Sequence, residues 1–489
     1  MVEPISIAYC ADRSIDLLPA MANRHGCITG ATGTGKTVSL QVLAEAFSRR
    51  GTAVFVADIK GDLSGITQAG RPNEKIMERL QRYRIPEPEW GANPAVFWDV
   101  LAEQGHPIRV TVSDLGPLLL SRMLDLNDTQ EGVMNILFRV ADEEGLLLLD
   151  FKDLRAMLNY IGEHAATLRA HYGNIAPASV GAIQRALLRL ENEGAEYFFG
   201  EPALDIFDWI RTDSKGRGII NILAADRLVQ SPRLYALFML WMLAELYERL
   251  PEVGDLPQPK MVFFFDEAHL LFNTAPKALI ERIEQVLRLI RSKGVGVYFV
   301  TQSPGDIPEV VLGQLGHRIQ HALRAYTPRE QKAVRTVAQT MRPNPNLDLQ
   351  AAITELGVGE ALVSMLDSDG RPTITERVWM AAPGSRIGPA TLEEKRSIQN
   401  ASPLAGKYDQ MIDRESAYEM LEARVAEQAR AQSGAGGALG ALSEFLLGST
   451  GPRGGRRDGV VQSVLKSEVR RGARQLLRGL LSSLRGGKR

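Results

Sequence analysis

Eight consecutive residues carry the first recognisable chemistry: Gly30, Ala31, Thr32, Gly33, Thr34, Gly35, Lys36 and Thr37. Glycine tolerates positive φ and lets backbone N–H groups close on an anion. A helix opening at Lys36 would add the positive end of its dipole to the same spot. The spacing G-x-x-x-x-G-K-[ST] is that of a loop that cradles the phosphates of a nucleotide. In that reading all eight residues line the phosphates, Lys36 reaches the β and γ groups, and the Thr37 hydroxyl binds Mg²⁺. Context supports it, because an apolar strand-like run (GCITG, residues 26–30) precedes the loop and helical spacing follows it.

Such a loop needs a carboxylate at the end of a neighbouring core strand to hold the metal. Five apolar residues, Met261–Phe265, run into Asp266 and Glu267. Asp266 is placed to orient Mg²⁺ through its waters, and Glu267 to polarise the attacking water as general base. Residues 266–269 spell DEAH, but the chain does not fit the helicases of that name. The 230 residues from Lys36 to Asp266 are too many for their first motor domain, and their arginine-rich late motif is missing. No N-K-x-D base-reading motif occurs, which favours ATP over GTP. Gln302 ends the next strand-like run, where it would sense the γ phosphate. Asp58, with Lys60 and Asp62 behind it, either approaches the nucleotide or forms a turn. His317 and His321 are read as surface or core residues, not as metal ligands.

The elements that must position these groups alternate. Strand-like runs fall at 26–30, 53–58, 218–222, 261–266, 296–302 and 318–323, with helical periodicity between them. That pattern predicts an α/β fold, a RecA-like P-loop NTPase core with a parallel sheet. From 115 to 212 the spacing is helical almost throughout, which reads as an insertion in the core. Residues 360–366 and 373–380 resemble a closing hairpin. The expected division is 1–114 and 213–386 for the two parts of the core, 115–212 for the insertion, 387–448 for a helical segment with a Gly-rich linker, and 449–489 for a tail. Residues 391–432 look polar and helical.

Composition narrows the class. The chain has 489 residues, a formal net charge of -1 and 45% apolar residues, ordinary for a globular protein of two or three domains. The charge is unevenly spread. Residues 452–489 hold eleven Lys/Arg against two Asp/Glu, so the tail carries +9 and the rest -10. Within it, 459–484 forms an apolar stripe with a basic opposite face. Docking on the core, binding a phosphate backbone and lying on a lipid surface all fit that pattern. Two cysteines in no metal spacing suit a reducing compartment. The longest apolar run, 234–244, is far short of the ~20 residues of a membrane span. With no signal peptide in view, the expected location is cytoplasmic and no integral membrane segment is expected.

Several stretches together resemble the HerA-like bacterial ATPases of the HerA–FtsK superfamily. They are NRHG leading into GATGTGKT, ADIKGDLSG after the second strand, FFFDEAH, the strand ending TQSP, and LGHRIQHALRAYTPRE. The resemblance covers about residues 5–382. It implies a homo-oligomeric, commonly hexameric, ring that hydrolyses ATP with Mg²⁺ and pumps DNA through a channel. It also implies an arginine supplied in trans by a neighbouring subunit, for which Arg24, Arg291, Arg318 and Arg324 are the candidates. Two departures stand out. Only 29 residues precede Gly30, too few for the N-terminal barrel that docks a nuclease, so a nuclease partner is not expected. The insertion at 115–212 has no counterpart role. The rival function is an ATPase that remodels a protein or envelope-associated complex without nucleic acid, and DNA-stimulated hydrolysis separates the two.

Overall fold

The computed structural model describes residues 2–11, 13–274 and 277–432. Twelve strands among them form one sheet. In chain order these are β1 (Ile5–Cys10), β2 (Arg13–Leu17), β3 (Gly26–Thr29), β4 (Ala53–Asp58), β5 (Ala95–Asp99), β6 (His106–Pro107), β7 (Ile220–Ala224), β8 (Met261–Phe265), β9 (Val295–Thr301), β10 (His317–Gln320), β11 (Glu360–Ser364) and β12 (Glu376–Met380). Across the sheet the order is β2-β1-β12-β11-β10-β3-β9-β8-β4-β7-β5-β6. From β10 to β6 every neighbouring pair is parallel, while β11, β12, β1 and β2 extend the other edge antiparallel. This is the α/β fold with a RecA-like core that the alternating pattern predicts.

The parallel strands read as unbroken apolar runs because both faces of the sheet are covered. On one face the helix Lys36–Arg49 sets Leu40, Leu43 and Phe47 against Val54, Val56, Phe264 and Tyr298. Phe47 lies 6.4 Å from Phe264 and 6.3 Å from Tyr298, ring centre to ring centre. On the other face Phe55 meets Trp209 at 4.8 Å and Phe263 at 5.2 Å. The helix Pro232–Arg249 closes that side with Phe238 and Trp241. It contains the apolar run 234–244, buried on all sides, and among the described residues no helix is long and apolar enough to cross a membrane. Each fully buried aromatic ring adds ~1.5–3 kcal/mol, so the two aromatic layers hold the strand ends in a fixed plane.

Between β6 and β7 the chain is helical, from Val112–Met123 through Asp128–Glu144, Phe151–Glu163, Ala165–Tyr172 and Pro177–Asn192 to Ala195–Phe198. The 360–380 region is the expected hairpin, β11 against β12.

Other expectations need correction. Four strands fall where the sequence pattern announces none: β1 and β2 ahead of residue 26, and β5 and β6 ahead of residue 115. β2 is partly polar and half-buried and β6 has only two residues, so neither shows the unbroken apolar run by which the central strands are read. The run 318–323 makes a strand only to Gln320, because Ala322 turns aside to accept a 2.8 Å hydrogen bond from the Ala31 N–H. The helical pattern 391–432 is interrupted. Leu392–Asn400 is one helix and Ala417–Gln432 another, and Pro403, which disfavours helix in the residue before it, lies just past the first. The compact unit Met1–Arg414 contains the whole sheet, and the described part of the unit Glu415–Arg489 is the helix Ala417–Gln432. The basic stripe expected over 459–484 lies outside the described residues.

Candidate functional site

The strand ends converge on one rim. In the order β3-β9-β8-β4, parallel registry sets Thr29 beside Thr301, Phe265 beside Phe299, and Ala57 beside Phe265. Gly30, Gln302 and Asp266 come next past their strands, and Asp58 is the last residue of β4. Four groups picked from separate stretches therefore stand on one edge of the sheet.

The loop at 30–37 takes its shape from glycine. Gly30 has φ +152°, Gly33 +78° and Gly35 +116°, all in territory that L side chains rarely adopt. A Cβ on Gly30 would lie 2.5 Å from the Cβ of His321. His321 wedges behind the loop. Its Nε2 sits 2.9 Å from the Ser39 hydroxyl and its Nδ1 2.9 Å from the Glu360 carbonyl. A carbonyl can only accept, so Nδ1 carries the proton and Nε2 accepts from Ser39. Burial holds this ring neutral, its pKa lowered to about 4. The Thr34 hydroxyl donates to the Ala31 carbonyl at 2.8 Å, and the Gly359 N–H donates to the Thr34 carbonyl at 3.0 Å. Arg79 in turn donates to the carbonyls of Gly359 and Met380 and lies over the Trp379 ring. Neither His321 nor the Gly359–Arg79 brace was singled out from sequence as part of this site, since their partners are remote in the chain.

Lys36 opens the helix, buried, with its ammonium donating to the Gly30 carbonyl at 2.7 Å and the Ala31 carbonyl at 3.1 Å. Burial lowers its pKa; Glu267 opposes that and Lys60 adds to it. Thr37 is half-buried on the first turn, and Thr32 and Gly33 are exposed at the tip beside a half-buried Ala31.

Across the rim, Asp266 is buried and its Oδ2 has no hydrogen-bond partner among the described residues. Burial, then the neighbouring Glu267 charge, pushes its carboxyl up to about 6. Asp58 rises to about 7 through burial and the charges of Asp62 and Asp266. Asp62 Oδ1 is likewise buried without a partner. Glu267 has φ +46°, an uncommon conformation for a side chain of this size. Burial raises its pKa, but the Lys60 ammonium paired with Oε1 outweighs that, and the net shift is downward. His269 Nδ1 lies 3.2 Å from the other oxygen. Gln302 is exposed at the end of β9, while Thr301 and the Ser303 N–H both donate to Asp306.

These carboxylates fit a divalent cation. Repelling acidic groups with buried oxygens that lack donors are what a bound cation neutralises, opposite a lysine and a threonine hydroxyl.

The arginines divide by position. Arg24 precedes β3 and Arg291 precedes β9, so both lie at the opposite end of the sheet from Gly30. β3 alone, at ~3.3 Å per residue, separates Arg24 from its own phosphate loop by more than ~13 Å. The two are neighbours: the Asn23 amide donates to the Arg291 carbonyl, and Arg291 pairs with Asp255 at 3.6 Å. Burial, then repulsion from Arg291, lowers the Arg24 pKa. Arg318 lies within β10 and donates to the Leu312 carbonyl; Arg324 is exposed beyond the end of that strand. His317 is buried and its Nε2–H donates to the Met21 carbonyl at 2.8 Å, a core role.

The family model described as "Helicase HerA-like C-terminal" matches residues 5–489. No curated protein matches the chain. Solved structures that are similar include the plasmid coupling protein TrwB in complex with ADP and Mg²⁺, with TM-score 0.50 and 15% identity over 85% of this chain and 92% of that one. TrwB with a non-hydrolysable ATP analogue gives TM-score 0.50 at 16% identity over 79% and 91%. VirB4 of Thermoanaerobacter pseudethanolicus gives TM-score 0.50 at 16% identity over 81% and 98%. At such identities these likenesses show a shared fold.

Proposed function

The chain belongs to the HerA-like helicase C-terminal family, and from that premise we propose that it is an ATP-hydrolysing motor of HerA–FtsK type, a ring that acts on DNA. The observation that carries the reading is the convergence of Lys36, Asp266, Glu267 and Gln302 on one rim of a parallel sheet. The TrwB structures, which hold ADP with Mg²⁺ and an ATP analogue, support nucleotide and metal binding on this fold.

The roles follow from position. Backbone N–H groups of residues 30–37 and the helix behind them bind the phosphates, with Lys36 exchanging its two carbonyl acceptors for β and γ oxygens. Thr37 and Asp266 hold Mg²⁺, which neutralises phosphate charge when bound. Glu267 takes the proton of a water as that water attacks the γ phosphorus. The bond to the β–γ bridging oxygen breaks, leaving ADP and inorganic phosphate. Gln302, at the adjacent strand end, reports whether the γ phosphate is present.

Arg24 and Arg291 lie too far away to serve their own loop, so either of them, as a finger candidate beside Arg318 and Arg324, would act on the next subunit across an interface that completes its site. That dependence makes hydrolysis a property of the assembly. The test is turnover with and without single- and double-stranded DNA, alongside mass by light scattering. Stimulation by DNA in an assembly of several subunits is expected. DNA-independent turnover in such an assembly would replace the DNA motor with a protein-remodelling ATPase, and absence of turnover in an assembled, DNA-bound ring would overturn both.

A further inference from the structure

Lys60 stands two residues past the end of β4, on a turn built to present it. Asp58 accepts hydrogen bonds from the Gly61 N–H at 2.8 Å and the Leu63 N–H at 3.2 Å, and Gly61 takes φ +75° to close the turn. From there the side chain, 42% exposed, reaches in to a Glu267 carboxylate that is 5% exposed and pairs with Oε1. An exposed ion pair would carry little meaning. This one ends on the oxygen that must accept a proton from water, and its ammonium is close enough to Lys36 for the two cations to repel. Lys60 thus pairs with a buried carboxylate at the phosphate rim whose charge Lys36, at the head of its helix, also feels.

A carboxylate clamped by an ammonium is a poor base, because its lone pair is engaged and its negative charge is stabilised. The γ phosphate of ATP would bring more negative charge to the same place than Glu267 offers. We propose that Lys60 is a second phosphate-binding cation, held by Glu267 until ATP arrives and then transferred to a γ-phosphate oxygen, which frees Glu267 Oε1 to take the proton of the attacking water. ADP lacks the γ phosphate, so Lys60 stays on Glu267 and the base stays engaged. One ammonium thereby links recognition of the triphosphate to release of the base. The inference rests on the reading of residues 30–37 and Glu267 given above.

The test compares affinities of the full-length chain for Mg²⁺-ADP and a Mg²⁺-bound non-hydrolysable ATP analogue in the wild type, Lys60→Gln and Lys60→Arg, with kcat for ATP. Lys60→Gln is expected to weaken the analogue about ten- to a hundredfold, the scale of one charge-assisted hydrogen bond, while ADP affinity stays within about twofold. Its kcat is expected to fall about a hundredfold, as for loss of one charge-stabilising donor. Lys60→Arg should recover part of both. Equal effects on the two nucleotides, no effect on either, or a lower melting temperature with unchanged discrimination would overturn the proposal and leave a structural ion pair. Faster hydrolysis in Lys60→Gln with unchanged discrimination would overturn it too, leaving a simple restraint on the base. Lys36→Ala and Glu267→Gln serve as controls for the underlying reading. If either hydrolyses ATP at the wild-type rate, that reading falls; if both are impaired while Lys60→Gln discriminates normally, only this inference falls.

Discussion

Asp266→Asn should make the nucleotide-free protein more stable at pH 8 while removing its response to Mg²⁺. A carboxyl whose pKa is raised on folding takes up a proton as the chain folds, at any pH between its unfolded and folded values. The folded state therefore has its full advantage below about pH 4 and loses it as pH climbs through about 6 for Asp266. The rise from 3.8 to about 6 corresponds to ~3 kcal/mol, at ~1.4 kcal/mol per unit. Asp266 is 1% exposed, so water screens little of it. With an unfolding entropy of ~2 cal/mol/K per residue over roughly 400 residues, ~3 kcal/mol amounts to ~3 °C in Tm. The assay is thermal unfolding followed by tryptophan fluorescence from pH 5 to 8, with and without Mg²⁺-ADP. The comparison between the two proteins reports Asp266 together with the part of the Asp58 shift that the Asp266 charge causes. Burial holds His25, His317 and His321 down to about 4, so all three favour folding as pH rises, equally in both proteins. The window from pH 5 to 8 crosses only about half of that span, ~1.4 kcal/mol, so wild type should lose ~2 °C relative to Asp266→Asn, and Mg²⁺-ADP should restore it most at pH 8. Identical pH slopes in the two proteins would refute the account of Asp266 as a charge held at a cost for the metal.

Glu267→Gln should bind ATP and lose ~10²–10⁴ in kcat, as expected for loss of a general base; wild-type turnover would remove Glu267 from that role. Gly30→Ala should lose ATP binding and ~1–3 kcal/mol of stability, since its Cβ would stand 2.5 Å from that of His321, and isothermal titration with denaturant melts would check it. Mixing Arg24→Ala subunits with Lys36→Ala subunits should restore ATPase activity if Arg24 serves its neighbour; rings with no rescue would move the role to Arg291. Deleting 449–489 should keep basal ATPase and weaken DNA binding with a shallower salt slope if the basic tail contacts phosphates, and unchanged DNA affinity in the truncated ring would exclude that contact.

What the sequence determined by itself is chemistry whose geometry is local. Gly30 to Thr37 set their own backbone, because three glycines permit φ values closed to other residues and a lysine and threonine follow at the first helical turn. The apolar runs 53–57 and 261–265 read as buried strands, because each has five residues, is rich in β-branched or aromatic side chains and is closed by polar turn residues, too short for a buried helix such as 232–249. Those strands then carry Asp58 and Asp266 to their ends. Tertiary structure decided everything that depends on which distant segments meet. Strand order places β9 between β3 and β8, so Gln302 comes to stand between the phosphate loop and the carboxylates. The wedge of His321 behind Ser39 joins residues 282 apart. The pairing of Lys60 with Glu267 needed β4 beside β8, and the sequence left Lys60 balanced between site and turn. Arg24 and Arg291 looked alike on paper to any arginine near a strand. The direction of β3 and β9 sends both to the far end of the sheet, and a parallel strand of fixed rise keeps them there. Local backbone preference writes a loop or a strand into adjacent residues, whereas register and strand order are set by burial summed over the whole sheet.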